Sequence, residues 1–305
     1  MTLRRFGSLL LVLAALFAPA RAHAVGAVGD LFITSDASNL VRAYGGASGV
    51  LIGTFTNSVN GSGELGIHFG AANGRVLVGH FGGGVDEFDA STGAFIKTYA
   101  PGGGWQWAGL YAPNGNVYIG SQLTGDVREY DVNTGAFVRV LCSFAGAADM
   151  EIAPNGHLFI CGYTFGNIGE FDATTGALIS TWSLPSGCEA NDILFLPGNG
   201  IFVTASRCNL IFRFNGAHAI TGTFTGTGMQ RPHGIAVSPY TGNILVADGV
   251  TTQVHEFDPN SFVELNPAFR SPPSGDKIVD IAFRPAEPPT PAATTTWGRL
   301  KGAYR

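Results

Sequence analysis

Short apolar runs of five or six residues recur along the chain, and many of them are flanked by glycine turns. The clearest repeated unit is apolar-x-x-aromatic followed by Asp or a small residue, then a turn that often ends in Thr-Gly. Six copies start 41 to 44 residues apart, at 41–49, 85–93, 127–135, 168–176, 211–219 and 254–262. In each copy the first apolar residue and the aromatic residue are three positions apart, so they face opposite sides of a strand. This spacing predicts a strand that packs between two neighbouring sheets.

Two further apolar runs precede each copy, so the repeating unit has four strands, which we call A, B, C and D. The B runs resemble GRVLVG and GNILVA, and the A runs end in or near Pro, as in MEIAP and IAVSP. Four strands every 40–50 residues or so predict an all-β fold, the β-propeller. The first unit, from Asp30, lacks an A strand, and Asp280–Pro285 supplies one from the other end of the chain. The sequence therefore predicts six blades of four antiparallel strands over 25–285, closed by the C-terminal strand joining the first blade.

One unit, His233–Asp258 (HGIAVSPYTGNILVADGVTTQVHEFD), resembles an NHL repeat. The resemblance rests on the segments GIAV, GNILVAD and VHEF, and on Arg231-Pro232 just before the unit. It implies a six-bladed β-propeller of the NHL-repeat and gluconolactonase-like superfamily, in agreement with the number of repeats.

The segment that precedes the propeller region predicts where the protein is located. A basic start, ten apolar residues over 9–18 and an Ala-His-Ala site ending at Ala24 predict a secretory signal peptide over 1–24. The apolar run is shorter than the roughly 20 residues that a membrane span needs. We therefore expect a secreted, periplasmic or cell-surface protein without a transmembrane segment.

The charge of the propeller region narrows the class of partner. Residues 25–285 contain 11 Lys and Arg against 21 Asp and Glu, a net charge of −10. An acidic body of this kind repels phosphate backbones, so the composition excludes nucleic acid as a partner.

The C-terminal end differs in composition from the rest. Residues 286–296 are a Pro/Thr-rich segment that we expect to form an extended linker. Residues 297–305 are a short aromatic-basic tail, in which Trp297, Leu300 and Tyr304 alternate with basic side chains. The tail resembles the C-terminal sorting signals of some secreted bacterial proteins, which implies a bacterial surface location. A frayed terminus is the alternative.

Four cysteines follow the signal segment, and in an exported chain they can form disulfides. Four cysteines allow three pairings. Cys142 and Cys188 lie between a D strand and the next A strand, whereas Cys161 and Cys208 lie at the end of a B strand or just after it. Because these connections emerge on the same face of a blade, the repeat predicts Cys142–Cys161 and Cys188–Cys208. A metal site is the alternative, but no Cys-x-x-Cys spacing supports it.

Candidate chemistry gathers where the A strands begin, at the mouth of the central channel. The A strands of blades four, five, six and one bring a group of polar side chains to one arc: Asp149, Asp192, His233 and Asp280, with Asn191 and Glu151 nearby. Six-bladed gluconolactonase-like lactonases and the amidating lyase of peptide hormones hold a divalent metal at this place. The resemblance therefore implies Ca²⁺ or another divalent metal. The alternative is structural, because Asp at a strand start often accepts backbone N–H bonds. The sequence fixes neither a cofactor nor a catalytic residue.

Other candidate residues are expected at the rim of the same mouth. His80, Asp36 and Asp248 lie at or next to the ends of B strands. Trp105 and Trp107 occupy the loop that leads into blade three. Exposed aromatic rings at a channel mouth stack on sugars or other flat ligands. The alternative is that Trp107 plugs the channel.

These features favour a secreted NHL-like propeller that acts as a binding or protein-interaction module, with a protein or carbohydrate ligand at one face. A metal-dependent lactonase- or lyase-like enzyme with its site at the channel mouth is the alternative, so the sequence leaves open whether the chain is an enzyme. A purely structural cell-surface repeat protein is a third interpretation. The pattern does not define an oligomeric state.

Overall fold

The structure, a computed structural model, describes residues 26–286 except 58, 60, 61, 71, 72, 103, 104, 108, 271, 272, 274 and 275. The predicted signal peptide, the C-terminal tail and all but the first residue of the predicted linker lie outside the described residues. In the described part, the regular structure is β-strand apart from one short 3₁₀ helix, η1 (Ser206–Cys208).

The strands form six antiparallel sheets arranged as blades around a ring, which confirms the predicted six-bladed β-propeller. Blades one to three contain these strands: β1 (Leu31–Ser35), β2 (Leu40–Tyr44) and β3 (Leu51–Asn57); β4 (Ser62–Gly70), β5 (Arg75–Phe81), β6 (Gly84–Asp89), β7 (Phe95–Tyr99) and a short extra strand β8 (Trp105–Gln106); β9 (Gly109–Tyr111), β10 (Val117–Ser121), β11 (Asp126–Tyr130) and β12 (Phe137–Ser143). The strand β8 was not predicted, and it pairs with the end of β5.

Blades four to six have four strands each, and a last strand returns to blade one. The strands are β13 (Ala147–Ile152), β14 (His157–Gly162), β15 (Asn167–Asp172) and β16 (Leu178–Ser183); β17 (Ala190–Leu196), β18 (Gly200–Ala205), β19 (Leu210–Phe214) and β20 (Ile220–Phe224); β21 (Pro232–Val237), β22 (Ile244–Asp248), β23 (Val254–Phe257) and β24 (Glu264–Arg270); and finally β25 (Ile278–Phe283). β25 pairs antiparallel with β1, with Ile281 opposite Ile33. The predicted closure by the C-terminal strand is confirmed.

The second strand of each blade is buried on both faces because it lies between two neighbouring sheets. Its sequence is accordingly a nearly continuous apolar run, as in LFITS of β1 and VYIGS of β10, where every residue is buried. The outermost strands are covered on one side only, and they expose apolar residues such as Phe137 and Leu178.

Apolar side chains fill the gaps between blades, so the core is a ring of separate clusters. Between blades one and two, the ring of Phe32 packs edge-on against Phe55 and Phe69, at centroid distances of 4.8 and 4.9 Å. Between blades four and five, Phe159 packs on Phe195 at 4.8 Å. Full burial of one such side chain contributes about 1.5–3 kcal/mol.

The Asp and the Thr-Gly of the repeat form the turn between strands C and D. In blade four, Asp172 Oδ1 accepts hydrogen bonds from the backbone N–H of Thr174 at 3.0 Å and of Thr175 at 2.7 Å, and from the Thr175 hydroxyl at 2.8 Å. Gly176 follows with φ = 73°, a left-handed conformation that glycine adopts readily. The motif therefore recurs along the chain because it forms a turn, and not because it forms a binding site.

The cysteines form one disulfide. Cys188 is bonded to Cys208, one of the two pairs expected from the repeat. The other expected pair, Cys142–Cys161, is wrong, because both thiols are free and buried. Successive residues of a strand face opposite sides of a sheet. On β14, Ile160 faces the cluster that contains Cys142, so Cys161 faces the opposite cluster, toward blade five.

Candidate functional site

The innermost strands of the six blades surround a central channel, and each contacts the next around the ring. We call the face where these strands begin the upper face and the face where they end the lower face. From top to bottom, the channel contains an open upper pocket of about 420 Å³, a layer of side chains, a chamber of about 10 Å³ and an open lower channel of about 390 Å³. The predicted site residues are divided among these levels.

Trp107 closes the channel beneath the upper pocket. It follows β8, whose pairing with β5 (Phe81 opposite Trp105) carries the chain inward over the channel. The Trp107 side chain is 7% exposed and packs on Ala148 and Val279. Trp107 therefore occupies the position of the plug that the sequence offered as an alternative to a ligand-stacking role.

Aromatic rings form the floor of the upper pocket and much of its wall. The rings of Trp107 and Tyr163 are 4.9 Å apart, centroid to centroid, and their planes are tilted by 31°. On the other side, Phe81 meets Trp105 edge-on at 5.5 Å. Trp105 is 48% exposed, so much of its ring is open to a ligand in the pocket.

His233 lies between the upper pocket and the chamber and borders both. Its side chain is buried, and neither ring nitrogen has a hydrogen-bond partner in the protein. Burial, aided by the charge of Arg231, lowers the pKa of His233 to about 4. The imidazole is therefore neutral at physiological pH and offers one donor and one acceptor.

Polar groups stand at the edge of the aromatic pocket. The carboxylate oxygen Oδ1 of Asp36 and the amide oxygen Oε1 of Gln122 are buried without hydrogen-bond partners. Burial raises the pKa of Asp36, although the charges of Lys277 and Arg231 act against that shift. Arg231 also donates from Nη2 to the Tyr163 hydroxyl at 3.0 Å. The pocket therefore combines ring faces with both donors and acceptors.

Asp192 and Asp280 hold neighbouring blades together one level below. Asp280, in blade one, accepts hydrogen bonds from the backbone N–H of Ile281 at 2.7 Å and from Ile67 in blade two at 2.8 Å. Asp192, in blade five, accepts equivalent bonds from its own neighbour and from Ile235 in blade six, both at 2.6 Å. We call these two carboxylates the inter-blade clasps.

A glycine stands beside each clasp in the blade that the carboxylate reaches. Gly66 precedes Ile67, and Gly234 precedes Ile235. A Cβ atom on Gly234 would lie 2.4 Å from a carboxylate oxygen of Asp280, so this position has no room for a side chain. The pairing of Asp with Gly therefore allows the innermost strands to approach closely.

Asp149, in blade four, lies next to the Asp192 carboxylate of blade five. Each clasp, in contrast, lies next to a glycine of the following blade. Burial raises the pKa of Asp149 well above its usual range, and the charge of Asp192 and a hydrogen bond to it add to the shift. Burial also raises the pKa of Asp280, with the charge of Asp192 as the second cause. The hydrogen bond between the two side chains therefore favours the proton on Asp149, which donates it to Asp192.

Glu151 extends the acidic group into the lower channel. Burial, together with the charge of Asp192, raises its pKa to about 8, although 39% of its side chain is exposed. Its Oε2 lies 3.9 Å from Nε2 of His68, whose own pKa is lowered to about 4 by burial. At neutral pH both side chains are therefore largely uncharged, and the contact is not an ion pair.

These acidic residues do not fit a divalent cation. Such a cation needs carboxylate oxygens that can turn toward it, whereas each clasp aims both of its oxygens at backbone N–H groups. Among the residues that the structure describes, no three His, Cys, Asp or Glu side chains are close enough together to hold a metal. His233 borders the same chamber, which at about 10 Å³ has room for one water molecule. The arrangement matches the structural alternative, in which Asp accepts backbone N–H bonds.

The remaining predicted residues lie away from the upper pocket. His80 is fully buried, with Nε2 3.1 Å from Oδ2 of Asp86. Asp248 is also buried, and it accepts a hydrogen bond from the backbone N–H of Gln230 at 2.6 Å. Asn191 is 2% exposed and borders the chamber. His80 and Asp248 therefore stabilise their own blades and do not reach a ligand at the rim.

Five aromatic or polar residues of the pocket were not predicted as site residues: Phe81, Gln122, Tyr163, Arg231 and Lys277. A signal for three of them was present in the repeat. Phe81, Gln122 and Tyr163 occupy the position directly after the buried run of strand B, as Asp36 does in blade one. The prediction chose His80 and Asp248, one residue too early, where the side chain is still buried in the blade.

We expect the thermal stability to fall when the pH is raised from 6.5 to 8.5. Glu151 has a folded-state pKa of about 8, above that of an unfolded chain, so the stability it provides is complete below about pH 4 and is lost as the pH rises through the folded value. The lowered pKa of His233 acts only below about pH 6.5. The variant Glu151→Gln cannot ionise, so it should have a higher Tm than the wild type at pH 8.5, by about 2–4 °C per kcal/mol of relief. Circular dichroism melting curves measure the effect.

The control for this experiment is Asp172→Asn. Asp172 lies in an exposed turn, and hydrogen bonds from Thr175 lower its pKa, so it stays ionised across the whole range. Its replacement should shift Tm equally at both pH values. A wild-type Tm that does not change between pH 6.5 and 8.5 would contradict the proton-holding role of Glu151.

Comparisons with known proteins identify a fold and not a family. The sequence matches no protein-family profile and no curated protein. A protein of unknown function from Bacteroides caccae has a similar structure, with a TM-score of 0.64 and 14% identity over 83% of this chain and 97% of that one. A chain of the nidogen/laminin complex gives 0.70 and 12% over 85% and 99%, and the WD40 propeller domain of Doa1 gives 0.60 and 12% over 81% and 80%. At such low identity these similarities establish the propeller fold alone.

The described residues include no helix that is long and apolar enough to cross a membrane.

Proposed function

We propose that this chain is a secreted, NHL-like propeller that acts as a carbohydrate-binding module through its upper pocket. The observation that carries the proposal is an aromatic pocket of about 420 Å³, with the rings of Trp105, Trp107 and Tyr163 in its lining. The predicted signal peptide supports secretion.

The chemistry of the pocket favours a sugar over other small ligands. A pyranose ring has apolar faces and polar edges. The exposed ring of Trp105 and the ring of Tyr163 offer surfaces for the faces. Arg231 and Lys277, which also line the pocket, offer donors for hydroxyl groups. The volume of about 420 Å³ also falls within the range of roughly 300–1,000 Å³ typical of small-ligand sites.

The alternative functions have less support from this geometry. A lactonase- or lyase-like enzyme of the metal-dependent type needs free carboxylates, and the clasps use theirs to join blades. A protein ligand of ordinary size would need a contact surface of about 800 Å² on each partner. The upper pocket is a compact cavity with Trp107 as its floor, which suits a small ring better.

The proposal is tested by screening the purified full-length mature chain against an array of neutral and acidic oligosaccharides, and by titrating bound sugars while following tryptophan fluorescence. We expect binding by wild type and a loss of at least about tenfold in affinity for Trp105→Ala, because a lost stacking contact costs about 0.5–1.5 kcal/mol beyond its buried area. Tyr163→Ala is expected to have a similar effect.

The matched control is Phe137→Ala. Phe137 is an aromatic residue of similar exposure, 55%, but it lies on the outermost strand of blade three. This variant should bind as the wild type does. Absence of binding to every oligosaccharide, or equal affinities for wild type and Trp105→Ala, would overturn the proposal.

A further inference from the structure

We infer that the ligand of the upper pocket is an acidic sugar, a hexuronate, whose carboxylate is held by Arg231 and Lys277. This inference rests on the proposed function and names the substrate class of the same pocket. It depends on the distribution of charge around the pocket, on the fixed position of Arg231 and on the distribution of hydrogen-bonding groups.

The charge at the pocket is opposite to that of the body. Residues 25–285 have a net charge of −10, but Arg231 and Lys277 both line the upper pocket. Among the described residues of the lining, Asp36 is the single carboxylate, and burial raises its pKa. Glu189 interacts with Tyr163 from outside the lining and accepts a hydrogen bond from Ser206 at 2.8 Å. The lining therefore has two cations against one carboxylate, whereas the body is acidic, and this reversal favours an anion as ligand.

Hydrogen bonds hold the backbone of Arg231 in a fixed position beside the pocket. Its φ angle is 61°, a left-handed conformation that costs a residue other than glycine about 1–2 kcal/mol. Its N–H donates to Oδ1 of Asn209 at 3.0 Å, and its C=O accepts from Gly249 N–H at 3.0 Å. These bonds fix the start of blade six so that the Arg231 side chain reaches the Tyr163 hydroxyl at 3.0 Å. The guanidinium is therefore held above the pocket wall.

The hydrogen-bond donors and positive charges that the pocket can offer a ligand match a uronic acid. A guanidinium has five N–H donors in a planar fork, and one of those of Arg231 bonds to Tyr163, so others can hold a carboxylate in a bidentate manner. Lys277 adds a second, mobile positive charge. His233 is neutral and its ring nitrogens are buried, so it adds no further positive charge to the pocket. The ring faces remain available to Trp105 and Tyr163.

The test compares a sugar with its uncharged ester. Full-length mature protein is titrated calorimetrically with trigalacturonate, with the methyl ester of trigalacturonate and with neutral galactose trisaccharide. We expect the acid to bind at least tenfold more tightly than the ester, and this preference to weaken as salt concentration rises. Arg231→Gln should weaken binding of the acid far more than binding of the ester, and so remove most of the preference. Arg139→Gln, a cation on the outermost strand of blade three, should leave the preference as it is.

The outcomes separate this inference from the proposed function. Equal affinities for acid and ester, or a preference that persists in both Arg231→Gln and Lys277→Gln, would overturn the uronate while leaving a sugar site in place. Binding of neutral oligosaccharides alone would have the same meaning. Failure of every sugar in the array would overturn both. Preferential binding of short peptides through their terminal carboxylate would overturn the sugar and retain the anion site.

Discussion

A chain that ends at Lys277, and so lacks β25, is expected not to form a stable propeller. β25 is the innermost strand of blade one, and Ile278 and Ile281 from it are at most 3% exposed in the cluster between blades six and one. Each buried side chain of this kind contributes about 1.5–3 kcal/mol. Because a folded protein is stable by only about 5–15 kcal/mol, the loss of the whole strand removes a large part of the margin.

The comparison chain ends at Ala286 and loses only residues beyond β25. Both chains are expressed without the signal segment, and their unfolding in urea is followed by circular dichroism. The chain that ends at Ala286 is expected to unfold cooperatively at the concentration of urea that unfolds the full-length protein. The chain that ends at Lys277 should show no cooperative transition. A transition within about 1 kcal/mol of the full-length value would show that the ring does not depend on its closure.

Asp280→Ala is expected to destabilise the protein by about 2–5 kcal/mol. The backbone N–H groups of Ile67 and Ile281 would lose their acceptor, and each unsatisfied buried donor costs about 1–3 kcal/mol. For a domain of this size, that loss lowers Tm by roughly 5–15 °C. Urea unfolding at pH 6.5 measures the free energy directly.

Asp280→Asn is the informative companion to this variant. An amide keeps one acceptor oxygen in place, so about half of the loss should remain. If Asp280 instead served to bind a cation, millimolar Ca²⁺ would raise the Tm of the wild type and of neither variant. The clasp predicts no effect of Ca²⁺ on any of the three. A loss below about 1 kcal/mol for Asp280→Ala would contradict the clasp.

The fold is well predicted from the sequence because the same four-strand unit repeats in the blades of the propeller. In four of the six blades the C–D turn has an Asp that accepts backbone N–H bonds, as Asp172 does, and a residue with positive φ follows it, so the turn is recognisable locally. Closure is visible as well, because the strand pattern of Asp280–Pro285 repeats that of the other innermost strands. These are short-range signals, and they need no knowledge of which side chains meet in space.

The site is harder to predict because it depends on side-chain direction. Aligning the innermost strands brings Asp149, Asp192 and Asp280 together, but it does not show that two of them bond to the next blade. The insertion of Trp107 over the channel depends on the pairing of β8 with β5, which has no counterpart in the other blades.

Strand alternation could have corrected two of the sequence predictions. Counting residues along β14 places Ile160 and Cys161 on opposite faces, which rules out a bond from Cys161 to Cys142. The same count along β5 places His80 inside the blade and Phe81 at the pocket. The position of a residue relative to the end of its strand therefore predicts its location better than its residue type does.

Closure by β25 also determines the orientation of the propeller when the protein is attached through either terminus. Gly29 N–H donates to the carbonyl of Arg284 at 2.9 Å, and Arg284 N–H donates to that of Asp30 at 3.0 Å, so the two ends of the propeller lie side by side. Pro285 borders the lower channel. The chain therefore enters and leaves on the side opposite the upper pocket. Any tether through either end would orient the pocket outward, toward soluble ligands and away from the surface that holds the protein.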